Sequence, residues 1–539
     1  MNHAQLLDCT LRDGAYLVGK KFGDDVIRGI INGLLEAKMD VIEIGFFQDE
    51  EFGEGKTVFR NSKDARRFIP DDKKGTMFAV MADYSRFSIE NLDECTPDSV
   101  DAVRECFFKK ERFDALNAFK AIKAKGYKLF VQPVDILGYT DKELIEYIEL
   151  INEIEPYSLS IVDTFGSMYQ EDLHRVFEII NHNLVKTCKI GFHSHNNMQL
   201  SNALTQEFIR MSVGKREVVV DATISGMGRG AGNTPTELVA QYMVSQLGYH
   251  YNMDAILDVI DGYMDNLRSR CEWGYNTPYF VAGCFSAHVN NIAYLSAKNS
   301  IRSKDIRYIL NKIGAQARKR YDYDLLERTY QELLQAEVDD KPELERLRKQ
   351  IGDKPVMIVA PGSSISSHKQ EIQQCIKDNQ PYVISLGFIP DDIKVDAIWL
   401  SNVRRFQQLK ESEQFQQLFK IATTNIGIPS TDDTILLSFS HFIKCGWEHM
   451  DNSAIMLFRV LDAIGISQVY IAGMDGYSMV GNGTTNYAND AVELASVAKK
   501  SSELNDEISE ILVDFNKTRQ HKATKYQFIT PSRFENILK

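Results

Sequence analysis

The sequence predicts an α/β protein in two parts: a closed N-terminal (β/α)8 barrel with a helical annex, then a second, open α/β domain of Rossmann-like pattern. Three observations predict this. Eight short apolar runs recur in the first half of the chain, separated by segments long enough for crossover helices. Polar clusters stand just past the ends of several runs, where barrel enzymes place their active sites. The strand–loop–helix pattern then stops near residue 262 and resumes near residue 355.

Size and composition bound the reading. A chain of 539 residues exceeds one ordinary core and leaves room for a barrel of about 250 residues plus a second domain. Hydrophobic residues at 44% and charged residues at 25% are those of a globular protein. No stretch approaches the roughly 20 apolar residues of a membrane span, so no membrane partner is expected. The first residues lack a basic segment followed by an apolar one, and the expected location is cytoplasmic. Cys9, Cys95, Cys106, Cys188, Cys271, Cys284, Cys375 and Cys445 form no CxxC pair, which points to reduced thiols rather than a zinc ribbon or disulfide framework. A net charge of −13 repels phosphate backbones, so nucleic acid is not expected as a partner.

The predicted barrel strands are 5–10, 41–46, 77–82, 100–107, 128–134, 158–164, 189–195 and 218–223, in a barrel over 1–262. Their near-continuous apolar character suits strands buried on both faces. The first helix, over 24–38, carries Val26, Ile27, Ile30, Ile31, Leu34 and Leu35 at helical spacing. A helical annex is expected over 263–320, with Tyr275, Tyr279, Phe280, Phe285 and Ile292 as packing residues. Residues 321–354 read as a charged linker around DDKPELERLRKQ, with Pro342 as a helix breaker. The second domain, 355–539, has strands at 356–360, 383–388, 396–401, 420–426 and 469–474. Its first strand runs into Gly362, Ser363 and Ser364, either a phosphate-binding loop or a plain tight turn.

Three clusters carry the chemistry. Asp8-Cys9-Thr10-Leu11-Arg12-Asp13-Gly14 closes the first strand with an adjacent cation and carboxylate, although an Arg-Asp-Gly alone is commonly a turn. Phe192-His193-Ser194-His195-Asn196-Asn197 ends the seventh strand, and period-two geometry sends His193 and His195 from one face toward one ion. The alternative there is two half-buried histidines satisfied by hydrogen bonds. Gly226-Met227-Gly228-Arg229-Gly230-Ala231-Gly232-Asn233 follows the eighth strand with glycines that admit a ligand or simply flex. Two histidines and one carboxylate leave open positions on an octahedral ion such as Mg²⁺, Mn²⁺ or Co²⁺, where a 2-oxo acid could chelate. The ion would stabilise an enolate, and Arg12 would add positive charge to its oxygen.

DCTLRDG, GFHSHNN and GRGAGN resemble the signatures of the metal-dependent pyruvate-aldolase and HMG-CoA lyase-like barrels, a family that also holds Claisen-condensing enzymes. Order and strand placement agree over roughly 4–265. The resemblance implies Asp13, His193 and His195 as metal ligands, Mn²⁺ or Mg²⁺ as cofactor, and Arg12 as enolate stabiliser. It also places Asn233 where some members coordinate the metal. The chain is most similar to the 4-hydroxy-2-oxovalerate aldolases, whose helical extension resembles 274–288 and makes Tyr279 a candidate active-site tyrosine. Those aldolases carry a catalytic histidine two residues after the RDG glycine, and this chain has Tyr16, a poorer base at its reference pKa near 10. His288 or a metal-bound water are the alternative bases. Glu43, Asp163 and Thr164 end strands and are candidate substrate contacts. His441, His449, Asp475 and Tyr477 have no assignable partner.

These features predict a divalent-metal-dependent carbon–carbon lyase or aldolase acting on a 2-oxo acid through a pyruvate-type enolate. A Claisen-type transferase joining an acyl-CoA to a 2-oxo acid is the second reading, and a barrel without chemistry that scaffolds the C-terminal domain is the third. The family further implies a dehydrogenase partner or a homo-oligomer. In the second domain, APGSSI, ISLGF and VYIAGMDGYS resemble nucleotide-sugar-handling or pterin-pyrophosphokinase-like domains of surface-polysaccharide pathways.

Overall fold

In a computed structural model of the chain, residues 3–50, 53–298, 301–334, 338–444, 446–447, 452–477 and 501–538 are described. His449 and Cys445 lie outside them. The seven other cysteines are free thiols.

Eight parallel strands close on themselves: β1 (Ala4–Asp8), β2 (Val41–Phe47), β3 (Met77–Asp83), β4 (Ala102–Phe107), β5 (Lys128–Pro133), β6 (Ser158–Asp163), β7 (Lys189–Ser194) and β8 (Val218–Ala222). Each pairs with the next, and β8 returns to β1 with Ala4 opposite Val218 and Asp8 opposite Ala222. Alternation assigns the two faces. Leu7, Val41, Ala79, Ala102, Phe130 and Val219 fill the interior as one cluster. Two residues further on, the same inward rows deliver Glu43 and Arg104 at mid-strand and Asp221 toward the end of its strand, with His193 beside them. The outward residues pack on helices such as Asp24–Glu36, whose buried Ile27, Ile30, Ile31, Leu34 and Leu35 form one apolar stripe.

Two compact units divide the chain, one reaching Ile292 and including Gly314–Tyr321, the other comprising Ala293–Ile313 and everything from Asp322. The segment 263–320, expected as one annex, is therefore shared between them. The stretch 321–354, expected as a charged linker, folds into helices Tyr323–Leu334 and Asp340–Ile351. Pro342 does not break the second helix because it sits in the first turn, where a backbone N–H has no intrahelical acceptor. The only apolar residues the helix buries are Leu347 and Ile351, four residues apart on one face, which is why it reads as unstructured. Its polar side chains still bind the second unit: the Asp340 carboxylate accepts the Ser438 N–H at 2.7 Å and Arg346 donates to the Asp432 carbonyl at 2.8 Å.

The second unit holds seven parallel strands, β9 (Val356–Val359), β10 (Tyr382–Leu386), β11 (Ala397–Leu400), β12 (Phe419–Thr423), β13 (Thr434–Leu437), β14 (Gln468–Ala472) and β15 (Lys525–Phe528). Their order is β13-β12-β11-β10-β9-β14-β15, so the direction of winding reverses between β9 and β14. The sequence marks five of these strands. β13 and β15 are the two edge strands, and β15, Lys-Tyr-Gln-Phe, is largely uncovered and lacks the continuous apolar run that marks the interior strands. Among the described residues no helix is long and apolar enough to cross a membrane.

If residues 340–351 are structural, Leu347→Ala leaves a cavity and destabilises the second unit by about 2–5 kcal/mol. Denaturant unfolding of the full chain checks this. A flexible linker would leave the midpoint unmoved.

Candidate metal centre

The loop after β1 turns at once into a short helix, Thr10–Asp13, that points Arg12 and Asp13 across the barrel mouth. Asp8 makes this turn: its carboxylate accepts the Thr10 N–H at 3.0 Å and the Thr236 hydroxyl at 2.6 Å. Facing Asp13 are His193, at the end of β7, and His195 just beyond it. The ligand atoms of the three side chains lie within 4.8 Å of one another. The His193 and His195 rings stand perpendicular, with centroids 5.1 Å apart.

Each member is held by a second residue. His193 Nδ1 lies 3.0 Å from Asp221 Oδ2, which fixes the tautomer that leaves Nε2 facing Asp13 at 3.2 Å. Asp221 also takes an ion pair from Arg104, and Arg104 Nη1 reaches Glu43 Oε2 at 2.9 Å. Glu43 Oε2 in turn accepts from Arg12 Nε at 2.8 Å, and Arg12 Nη1 stands 3.0 Å from Asp13 Oδ2. The buried chain thus runs from His193 through Asp221, Arg104, Glu43 and Arg12 to Asp13.

Charge follows from that wiring. Burial raises the Asp13 carboxyl, but Arg12, His195 and His193 outweigh it and hold the group well below its ordinary value. Asp221 is likewise pushed up by burial and brought lower by Arg104 and His193. Burial, with the charges of His193, Arg229 and Arg12, brings His195 down to about 3 against the opposing pull of Asp13, leaving a neutral imidazole at physiological pH.

The donor set fits a divalent cation by a direct observation. Asp13 Oδ2, although at ion-pair distance from Arg12 and His193, has no partner in hydrogen-bonding geometry. Asn233 Oδ1 is also buried and unpartnered, its amide turned by a 3.2 Å bond from Nδ2 to the Met227 carbonyl. Asn233 lies beside His195 through a backbone bridge. Buried oxygens left open next to two imidazoles suit a cation that accepts oxygen and nitrogen ligands.

The loop 226–233 is pinned over this mouth by Asn197, whose Oδ1 accepts the Ala231 N–H at 3.0 Å while its Nδ2 donates to the Phe165 carbonyl at 2.9 Å. Gly230 has φ +70°, and a Cβ there would lie 2.9 Å from both Asn197 Oδ1 and Val289 Cγ1. The loop lays Arg229 over the Tyr16 ring at 3.9 Å. Burial raises the Tyr16 phenol, so it stays protonated at neutral pH. Tyr279 packs near Gly230 and is also raised by burial. His288 is brought down to about 4 by burial and by the Arg229 charge, and its Nδ1 accepts the Asn290 N–H, so its remaining proton is on Nε2.

Several sequence-singled residues are placed elsewhere. The Asp163 carboxylate accepts the Ser167 and Met168 N–H groups at 2.9 and 3.3 Å, and Thr164 Oγ1 accepts the Asp135 N–H, so both fasten loops rather than face Asp13. In the second unit, Ser364 N donates to Asp475 Oδ2 at 2.8 Å, Ser364 and Ser363 hydroxyls bond the same carboxylate, and Gly362 N donates to the Gly473 carbonyl. Three donors of this expected phosphate loop thus go to the Asp475 carboxylate and a fourth to a backbone carbonyl. Its following helix, Ser364–Ser367, is one turn long. His441 pairs with Asp340 at 2.6 Å. Sequence reasoning missed Arg104 and Asp221. The signal was present: each is a charge inside an otherwise apolar strand, and such a charge needs a buried partner.

Fold and cluster together define a class, a parallel (β/α)8 barrel with a candidate divalent-cation site at the carboxyl ends of its strands. The HMGL-like family model matches residues 3–261, and the barrel is an HMGL-like domain. The chain is 27% identical over 248 residues to an oxaloacetate decarboxylase of Mycobacterium tuberculosis, covering 43% of this chain and 67% of that protein. It is 25% identical over 276 residues to a 4-hydroxy-2-oxovalerate aldolase of Geobacillus genomosp. 3, covering 49% and 78%. Among solved structures, HMG-CoA lyase from Brucella melitensis aligns at TM-score 0.40 and 15% identity, over 50% of this chain and 100% of that one.

Asp8 supplies a stability test. Burial raises its pKa from 3.8 to about 6, against hydrogen bonds from Thr236 and Thr10 that lower it. The folded chain therefore holds this proton more tightly than the unfolded one. The associated stability is fully present below the unfolded value and is lost as pH rises through about 4 to 6, a cost of up to about 3 kcal/mol above that window. Asp8→Asn keeps both contacts, since the Thr236 hydroxyl can accept as well as donate. The variant is expected to unfold at higher urea than wild type at pH 7.5, with the gain shrinking toward pH 4. An equal gain at both pH values would show that the buried charge is not the cause.

Proposed function

We propose that the barrel is a divalent-metal-dependent carbon–carbon lyase of the aldolase type, acting on a 2-oxo acid through a pyruvate-type enolate. The supporting observation is the buried Asp13, His193 and His195 cluster with an open Asp13 oxygen at the barrel mouth. The relatives named as oxaloacetate decarboxylase and 4-hydroxy-2-oxovalerate aldolase carry names that each involve a 2-oxo acid, which agrees with this reading.

A divalent ion, Mn²⁺ or Mg²⁺, held by Asp13, His193 and His195 with Asn233 beside them, would supply a Lewis acid to the keto oxygen. The remaining work falls to the chain. Arg12 has its Nε on Glu43 and its Nη1 by Asp13, but its buried Nη2 is unpartnered and free to donate to the oxygen on which enolate charge develops. Glu43 is a positioning residue, orienting Arg12 from below through Oε2. Asp221 orients His193 in the same way.

Tyr16 enters as a donor, because a phenol raised by burial cannot serve as a base at neutral pH. It suits protonation of the enolate carbon or a hydrogen bond to the substrate's second oxygen. His288, neutral with Nδ1 already accepting, is likewise a donor at Nε2 rather than a base. Tyr279 lies against the loop that covers the site and would contact the part of the substrate farthest from the ion. The proposed setting is the cytoplasm, with a small 2-oxo acid as substrate and a second copy of the chain or a dehydrogenase as partner.

Two measurements test this. Purified wild type should hold about one divalent ion per chain, and His193→Ala with His195→Ala should lose it; a metal-free wild type refutes the proposal. With the ion bound, the pyruvate methyl group should exchange its protons for deuterium, followed by NMR, and Arg12→Lys should slow this by about 10²-fold or more. Absence of exchange rules out pyruvate as the enolate-forming half.

A further inference from the structure

The cations around the cluster are not equivalent. Arg12 is compensated by Glu43 and Asp13, and Arg104 by Glu43 and Asp221. Arg229 has neither a carboxylate nor a hydrogen-bond partner among the described residues, and its Nε is buried and unsatisfied. It is half-buried and held by the face of the Tyr16 ring, an arrangement that fixes the guanidinium plane without using its N–H groups. The loop that carries it also carries Asn233, and the backbone bridge from Asn233 to His195 keeps that loop at the cluster. An uncompensated guanidinium in a partly desolvated place is costly unless something anionic arrives to pair with it.

Charge balance points the same way. The connected buried carboxylates Asp13, Glu43 and Asp221 exceed the guanidiniums of Arg12 and Arg104 by one charge. A divalent cation with two neutral imidazoles turns that deficit into a surplus of one, and Arg229 makes it two. A 2-oxo monocarboxylate neutralises only half of this surplus.

Resting on the lyase reading, we propose that Arg229 is the specificity residue for a second carboxylate, so that the substrate class is a 2-oxo dicarboxylic acid. One end of the ligand is the 2-oxo acid group at Asp13, His193 and His195. The other is a carboxylate received by Arg229. A planar fork of paired N–H donors matches the two oxygens of a carboxylate.

The test compares ligands that differ only in the distal carboxylate. Metal-loaded full-length protein is titrated calorimetrically at low salt with 2-oxoglutarate against 2-oxopentanoate, and with oxaloacetate against 2-oxobutanoate. In at least one pair the dicarboxylate should bind about 10- to 100-fold more tightly, the range of a charge-assisted hydrogen bond. The preference should fall as salt is raised. Arg229→Met should bring the ratio to about one, leave monocarboxylate affinity and metal content unchanged, and Arg229→Lys should restore part of the ratio. Should Arg229→Met fail to fold, the wild-type ratio and its salt dependence decide alone. No preference in either pair, or an equal loss for both members of a pair in Arg229→Met, overturns the proposal. Pyruvate methyl exchange, run in parallel, separates the two claims: a preserved dicarboxylate preference without exchange rejects the lyase reading and keeps the anion site.

Discussion

The structure depends on one buried chain of opposite charges, His193–Asp221–Arg104–Glu43–Arg12–Asp13, lying across the inside of a closed barrel. Taking these groups out of water is expensive, and the barrel offsets the cost only by pairing each charge with its neighbour in fixed geometry. That pairing explains the placement of side chains on five strands or strand ends. It also explains why Asp13 stays ionised, why His193 presents its Nε2, and why Arg12 has one nitrogen to spare. Site geometry and barrel integrity are one arrangement, so a change at Arg104, which touches nothing at the mouth directly, would be felt at both ends of the chain of charges.

Much of this was legible in the sequence. Eight apolar runs give eight strands, because strands buried on both faces cannot hide their composition. Asp13, His193 and His195 come together because a residue at a strand end and a period-two pair at another have only the barrel mouth to point into. Asp163 and Thr164 show the limit of that reasoning. They also end a strand, yet they face the loop, because a strand end offers backbone N–H groups as well as a cavity, and a carboxylate takes whichever donors lie nearer.

The second unit was harder to read for a different reason. Its helix Asp340–Ile351 is anchored by Asp340 and Arg346 bonding distant backbone groups, contacts that leave no period in the sequence. Its loop at Gly362–Ser364 has the small residues of an anion cradle, and only the structure shows that Asp475, over a hundred positions away in the chain, already fills it. Small residues report that something approaches closely. They do not report whether the visitor is a ligand or the protein itself.

The cluster takes its carboxylate from the loop after the first strand and its imidazoles from the end of the seventh, and the eighth strand must pair with the first before the cylinder is closed. These are contacts of large sequence separation, whose loop-closure entropy is met late in folding. An ion that binds only the closed form would then act as a latch on the cylinder, adding stability in proportion to the logarithm of its concentration. For such a chain, the supply of metal would set how much barrel survives in the cell as well as how fast it works.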